Sequence, residues 1–186
     1  MSTPSQPSVY TVGSYKENTV TAVSTPTPTP AATAAPTAAE ITEGVYYLKN
    51  VNSGLYLDIA NGQSTDGANV QQYTYNGSSA QKFKIVSAGN GYYKLLTGCS
   101  DYAQAVDVSG KKTADGTNIL TWTSGSGTNQ QFKFVAADDG SYGILTRITG
   151  DASALDVANM STTKGANVQQ YSYWGGAGQR WYLEPA

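Results

Sequence analysis

The sequence predicts an all-β domain built from three repeats, and three observations predict it. Gln81-Lys82-Phe83, Gln130-Gln131-Phe132 and Gln179-Arg180-Trp181 are copies of Gln-x-aromatic, 49 residues apart both times. A period of roughly 20–50 residues marks a repeat architecture. The same period carries Asp58, Asp107 and Asp156, then Gly67, Gly116 and Gly165, then Asn69, Asn118 and Asn167. Finally, short β-branched and aromatic runs alternate with Gly- and Asn-containing turns, and no stretch keeps a 3.6-residue apolar period over three turns.

Composition narrows the function. Only 13% of the 186 residues are charged and the net charge is −2, which excludes the basic face that phosphate recognition needs. No apolar run approaches the roughly 20 residues of a membrane span. Histidine is absent and Cys99 stands alone, so the commonest general base and metal ligand are missing and neither a disulfide nor a thiolate cluster is expected. No metal or cofactor is expected, and Cys99 reads as a partly buried free thiol.

Along the chain, residues 1–23 read as a tail or the remnant of an upstream domain. Within it, residues 8–23 have the composition of a short hairpin, Val9–Val12 and Thr19–Val23 around Lys16-Glu17-Asn18. No basic n-region with an apolar h-region opens the chain, and an excised piece of a longer secreted chain is the expectation. Residues 24–43 read as a Pro/Thr/Ala-rich linker in which Pro26, Pro28, Pro30 and Pro36 favour an extended spacer of about 45–50 Å. Residues 44–186 hold the repeats, from about Gly44 to Ala88, Gly89 to Ala137, and Asp138 to Ala186. Each repeat reads as four short strands with too few apolar residues for its own core, so the three must share one, and a closed arrangement would leave no exposed sheet edge.

An Asp in a Leu-Asp-Ile or Val-Asp-Val setting, then Asp-Gly-x-Asn-Val-Gln-x-aromatic, then Gln-x-Trp or Gln-x-Phe, repeated with variations in three copies, resembles the ricin B-type lectin domain. Residues 44–186 look like the family 13 carbohydrate-binding modules in particular. The resemblance implies a β-trefoil, a six-stranded barrel capped by three hairpins, and a shallow sugar pocket in each repeat. Carried over residue by residue, it implies Asp58, Gln71, Tyr73 and Gln81 in repeat one. In repeat two it implies Asp107, Trp122, Asn129 and Gln130, with Leu120 where repeat one has Gln71. In repeat three it implies Asp156, Gln169, Tyr171 and Gln179. Many relatives staple each repeat with a disulfide; those positions here are Tyr56/Tyr75, Ala105/Ser124 and Ala154/Tyr173, so the chain resembles the disulfide-free bacterial branch.

The chemistry suits that role. A carboxylate accepts hydroxyl hydrogens in charge-assisted bonds, an aromatic face receives a sugar's C–H face, and Gln and Asn match a hydroxyl in either sense. Structural readings stand beside it. The three Asp residues could cap hairpin turns, and Gly67, Gly116 and Gly165 could serve only as turns. The three repeat Asn residues could tie those turns down, and Gln81, Gln130 and Gln179 could bridge backbone groups. Phe83, Phe132 and Trp181 read as core, and Tyr75, Tyr173 and Trp174 as secondary contacts.

The expected function is a non-catalytic module, secreted and monomeric, that binds a galactose-, arabinose- or xylose-containing polysaccharide and targets a covalently linked glycoside hydrolase. Neither nucleic acid nor membrane is an expected partner. The alternatives are a protein-interaction trefoil and a glycosidase. The latter needs two carboxylates in unlike environments, whereas the prominent carboxylates here are threefold equivalents.

Overall fold

The computed structural model describes residues 37–186. The hairpin expected over residues 8–23 and the linker as far as residue 36 lie outside the described residues.

Each repeat forms four strands. Repeat one gives β1 (Gly44–Asn50), β2 (Tyr56–Ile59), β3 (Val70–Tyr73) and β4 (Phe83–Gly89). Repeat two gives β5 (Tyr92–Thr97), β6 (Gln104–Val108), β7 (Thr117–Thr123) and β8 (Phe132–Ala136). Repeat three gives β9 (Tyr142–Thr146), β10 (Ser153–Val157), β11 (Val168–Ser172) and β12 (Arg180–Pro185). Strand β5 shows the cause plainly: Tyr93, Leu95 and Thr97 are buried while Tyr92, Lys94 and Leu96 are half-buried, the two-residue period of a pleated strand.

Antiparallel pairings run β1–β4, β4–β5, β5–β8, β8–β9, β9–β12 and back to β1, closing a six-stranded barrel. The other six strands make three hairpins, β2–β3, β6–β7 and β10–β11. Their second strands meet at the pseudo-threefold axis through the β7–β11 pair and the bridges Asn69–Leu120 and Gln71–Asn167. Six barrel strands and three capping hairpins make the expected β-trefoil.

The repeats share one core. Phe83, Phe132 and Trp181 are fully buried, as are the repeat-related sets Leu57, Val106, Leu155 and Val70, Ile119, Val168. Burying each such side chain contributes about 1.5–3 kcal/mol relative to exposure. The glycines of the repeat do more than turn the chain. Gly67, Gly116 and Gly165 have φ of 86°, 78° and 82°, conformations that suit glycine. Their N–H groups donate to Thr121, Gln170 and Gln72 at 2.8, 2.9 and 2.7 Å, each in the next repeat around the axis.

The repeat asparagines do not tie down their own turns. They bond one another: Asn69 Nδ2 donates to Asn167 Oδ1 at 3.0 Å, Asn167 Nδ2 to Asn118 Oδ1 at 2.8 Å, and Asn118 Nδ2 to Asn69 Oδ1 at 2.9 Å. Three amides that each donate once and accept once form a closed ring at the axis.

The folded domain begins before Gly44. Ala39 N–H donates to Phe134 O at 2.8 Å and Ala136 N–H to Thr37 O at 3.3 Å, with Ala38 bridged to Val135. Ile41 is buried in the core, and its N–H donates to the Tyr93 hydroxyl at 3.0 Å. Residues 37–43, read from composition as the end of the linker, thus satisfy backbone groups along β8 and cover apolar surface. Cys99 is a half-buried free thiol, as its composition suggests.

Candidate functional site

Each hairpin places one Asp opposite one side chain of its partner strand. The register sets Asp58 against Gln71, Asp107 against Leu120, and Asp156 against Gln169. The three Asp residues are 4%, 5% and 6% exposed, and a buried carboxylate must be hydrogen-bonded. In repeats one and three the cross-strand glutamine does this: Gln71 Nε2 donates to Asp58 Oδ1 at 2.9 Å and Gln169 Nε2 to Asp156 Oδ1 at 3.0 Å. In repeat two Leu120 has nothing to donate. Asn129 Nδ2 and Gln130 Nε2 both donate to Asp107 Oδ2 instead, at 2.6 and 2.8 Å. Where repeat two has Asn129, repeat one has Ala80 and repeat three Gly178, so the two solutions are alternatives and every Asp is held by at least one amide.

Burial pushes the carboxyls of Asp58, Asp107 and Asp156 above their ordinary value, while the amide donors pull the other way. A carboxylate offers more acceptor sites than these donors use. On Asp107 both donors converge on one oxygen, Oδ2.

Cavities lie in front of two of these groups. Asp58, Gln71, Tyr73, Asn76 and Ser79 line one of about 390 Å³. Asp107, Trp122, Lys111, Asn129 and Gln130 line another of about 600 Å³. Trp122 is 49% exposed and Tyr171, its counterpart in repeat three, 41%, so each offers a ring face. Tyr73 is half-buried, with Lys164 Nζ 5.8 Å from its ring centroid.

Gln81, Gln130 and Gln179 are buried braces. Their Nε2 groups donate to Thr74 O, Thr123 O and Ser172 O, and their Oε1 atoms accept from the N–H of Asn76, Gly125 and Trp174. The sequence reading places all three among the sugar contacts. The structure buries all three beside the Asp of their repeat, where they hold the loop in shape, and Gln130 also donates to Asp107 at 2.8 Å. Tyr173 packs against Val135, Leu145 and Ala154. Tyr75 rests on Tyr56 and Tyr47, ring centroids 4.9 and 5.1 Å away, and Trp174 is 60% exposed.

Sequence reasoning passed over one position in the loop after the Asp strand. Gly62, Lys111 and Met160 stand at the same place in the repeats, with φ of 60°, 56° and 52°. A non-glycine residue in this left-handed region costs about 1–2 kcal/mol. The side chains there differ most among the sites. Gly62 leaves the first cavity open, Lys111 lines the second, and Met160 lies over Gly178, where a built Cβ would come within 2.6 Å of its sulfur.

The sites also borrow from the neighbouring repeat. Asp66 accepts from Gln104 Nε2 at 2.8 Å and from the N–H of Thr123, the residue after Trp122, at 2.6 Å. Asp115 likewise accepts from the N–H of Ser172, the residue after Tyr171, at 2.6 Å. Lys164 occupies the corresponding turn position in repeat three and reaches Tyr73. The 49-residue spacing of Asp-Gly, Asp-Gly and Lys-Gly is the signal that could have revealed this set.

Comparison with known proteins agrees with this architecture. The ricin-type beta-trefoil lectin domain-like family matches residues 37–122, 102–171 and 128–186. ThreeFoil, a designed threefold-symmetric protein, is 43% identical with a TM-score of 0.73, over 77% of this chain and 99% of that one. The exo-beta-1,3-galactanase 1,3Gal43A of Clostridium thermocellum is 36% identical with a TM-score of 0.72, over 81% of this chain but 31% of the enzyme. The ricin B-like lectin of Macrolepiota procera, solved with lactose, shares the fold at 21% identity and a TM-score of 0.63, over 80% of this chain and all of that one. The clotting factor G alpha subunit of Tachypleus tridentatus is 34% identical over 64 residues, 34% of this chain and 10% of that protein, so the match spans a tenth of the relative's length. Three matched segments that together run from residue 37 to the last residue, on a barrel with three hairpins, settle the relationship: the chain belongs to the ricin-type β-trefoil lectin domain-like family.

Proposed function

We propose that this domain is a non-catalytic carbohydrate-binding module of the family 13 kind, which holds an attached glycoside hydrolase on a plant-type polysaccharide containing galactose, arabinose or xylose. The observation that carries the proposal is the threefold pairing of a buried, amide-braced carboxylate with an aromatic ring, Asp58 with Tyr73, Asp107 with Trp122 and Asp156 with Tyr171. That pairing suits a neutral sugar, whose hydroxyls need a directional acceptor and whose C–H face needs a flat apolar partner.

One carboxylate lines each of the two cavities, Asp58 or Asp107, whereas glycoside hydrolysis uses a pair flanking the bond. This favours binding over catalysis. The likeness to 31% of a galactanase chain fits a module appended to a hydrolase, and the Pro/Thr tract of residues 24–36 fits a tether in a secreted protein. A few net hydrogen bonds less the cost of association give each pocket an affinity near millimolar, about −4 kcal/mol. Three pockets on one rigid body raise avidity roughly 10²–10⁴-fold on a polymer that spans them.

Affinity electrophoresis against arabinogalactan, galactan, arabinan, arabinoxylan, xylan and β-glucan tests this, with Asp58→Ala, Asp107→Ala and Asp156→Ala singly and together. Retardation by one polymer class that weakens stepwise and vanishes in the triple variant supports the module. A folded protein that no polymer retards, or a triple variant that binds unchanged, overturns it.

A further inference from the structure

The repeat-related sites share a frame but not a chemistry. The second differs from the first by a cation at its rim: Lys111 lines the cavity that Asp107 and Trp122 form, where the first has Gly62. Among the described residues Lys111 makes no ion pair. Its backbone sits at φ 56°, so a long side chain is held in a conformation that favours glycine, and a strained residue at a cavity mouth is a pointer to function. The cavity, at about 600 Å³ against 390 Å³, is also the roomier one.

Resting on the carbohydrate-binding reading, we infer that the second pocket is selective for an acidic sugar, a hexuronate, whose carboxylate pairs with Lys111 while its ring lies on Trp122 and its hydroxyls bond Asp107. Asp107 fixes the orientation. It repels an anion, so the sugar carboxylate is directed away from it and toward the ammonium at the rim. Asn129 and Gln130, both donating to Asp107 Oδ2, draw charge from that oxygen and lower the repulsion. The first pocket has Gly62 at that place, and the cation near it, Lys164, is engaged over the Tyr73 ring 5.8 Å from the centroid, so that pocket takes neutral sugar and the domain discriminates two residue types along one branched polymer.

The test uses the full chain and the indole N–H resonance of Trp122, identified by its loss in Trp122→Phe. Two stereochemically matched pairs are titrated, galactose against galacturonate and glucose against glucuronate. In at least one pair the uronate is expected to bind at Trp122 about fivefold more tightly than its neutral partner, the scale of a partly exposed ion pair. That preference should fade in high salt, persist in Lys111→Arg and disappear in Lys111→Met. Methionine is a sound replacement because Met160 already occupies the equivalent left-handed position. Equal affinities in both pairs, or a preference that survives Lys111→Met, overturns the inference while leaving neutral sugar binding in place. If no sugar moves any resonance of the protein, the carbohydrate-binding reading falls with it.

Discussion

Asn118 donates its side-chain amide to Asn69 Oδ1 at 2.9 Å, joining residues 49 positions apart in a ring that Asn167 completes. Removing one member breaks two of three bonds and strands a donor and an acceptor at a half-buried axis. Asn118→Ala is therefore expected to cost about 1–3 kcal/mol. The triple alanine variant should cost clearly less than three times the single one, because only three bonds exist to lose. Urea unfolding of the wild type, the single variant and the triple variant checks this, and additive losses would show that the ring is not a unit.

The two ways of bracing the Asp are interchangeable in principle. Asn129→Ala removes a 2.6 Å donor from Asp107 and should weaken sugar binding at Trp122 about tenfold, the scale of one hydrogen bond to a charged group. Adding Leu120→Gln places an amide where Gln71 and Gln169 stand opposite their carboxylates, and most of the affinity should return. A double variant no better than Asn129→Ala would mean that Asn129 acts on the ligand and not through Asp107.

Acidity should separate binding from folding. The folded-state values of Asp58, Asp107 and Asp156 are raised, chiefly by burial. As pH falls through those raised values the native state takes up protons before the unfolded state does, so these three groups favour folding more, not less. Sugar binding needs their charged acceptors, so affinity is expected to decline on acidification starting above the ordinary carboxylate range. Asp66 behaves oppositely: Gln104 first, with Thr123, holds it below its ordinary value, and the stability it contributes is lost as pH falls through that lowered value. Isothermal titration and thermal melts over the same acid series check both halves. Affinity that stays flat down to the ordinary carboxylate range would contradict the assignment.

The segment before the first strand belongs to the fold energetically. Ile41→Ala should cost about 2–4 kcal/mol, as for other buried aliphatic truncations. Tyr93→Phe, which takes the hydroxyl from the Ile41 N–H, should cost about 1–2 kcal/mol. Losses below half a kilocalorie in both would mean that residues 37–43 only lie against the barrel.

The repeat frame was legible because its signals are local in sequence. A 49-residue period, the Asp-Gly turns and the β-rich runs indicate twelve strands without any knowledge of their packing, and the core reading of Phe83, Phe132 and Trp181 follows from the same pattern. The positions of Asp58, Asp107, Asp156, Tyr73, Trp122 and Tyr171 in the repeat were legible for the same reason, while the roles proposed for them come from the family resemblance. Features that depend on one repeat meeting another were not. Nothing in a single repeat reveals that Asn69, Asn118 and Asn167 bond one another, or that Asp66 supports the residue after Trp122. Composition also misassigns residues 37–43, because an alanine- and threonine-rich segment looks like linker until β8 offers it free hydrogen-bonding groups. The difference among Gly62, Lys111 and Met160 was visible as letters, but only the backbone conformation marks it as a place where a side chain is held at a cost.

The support that Asp66 gives to the strand end at Trp122, Asp115 to that at Tyr171, and Lys164 to Tyr73 has a consequence for ancestry and engineering. The unit that the gene would copy is not the unit that would grip a sugar, because each platform straddles a seam between copies. A single repeat cut free would carry fragments of two sites and a complete one of neither. Swapping a repeat between homologues would therefore alter the pocket next door as well as its own, and ligand preference should be transplanted by exchanging seams.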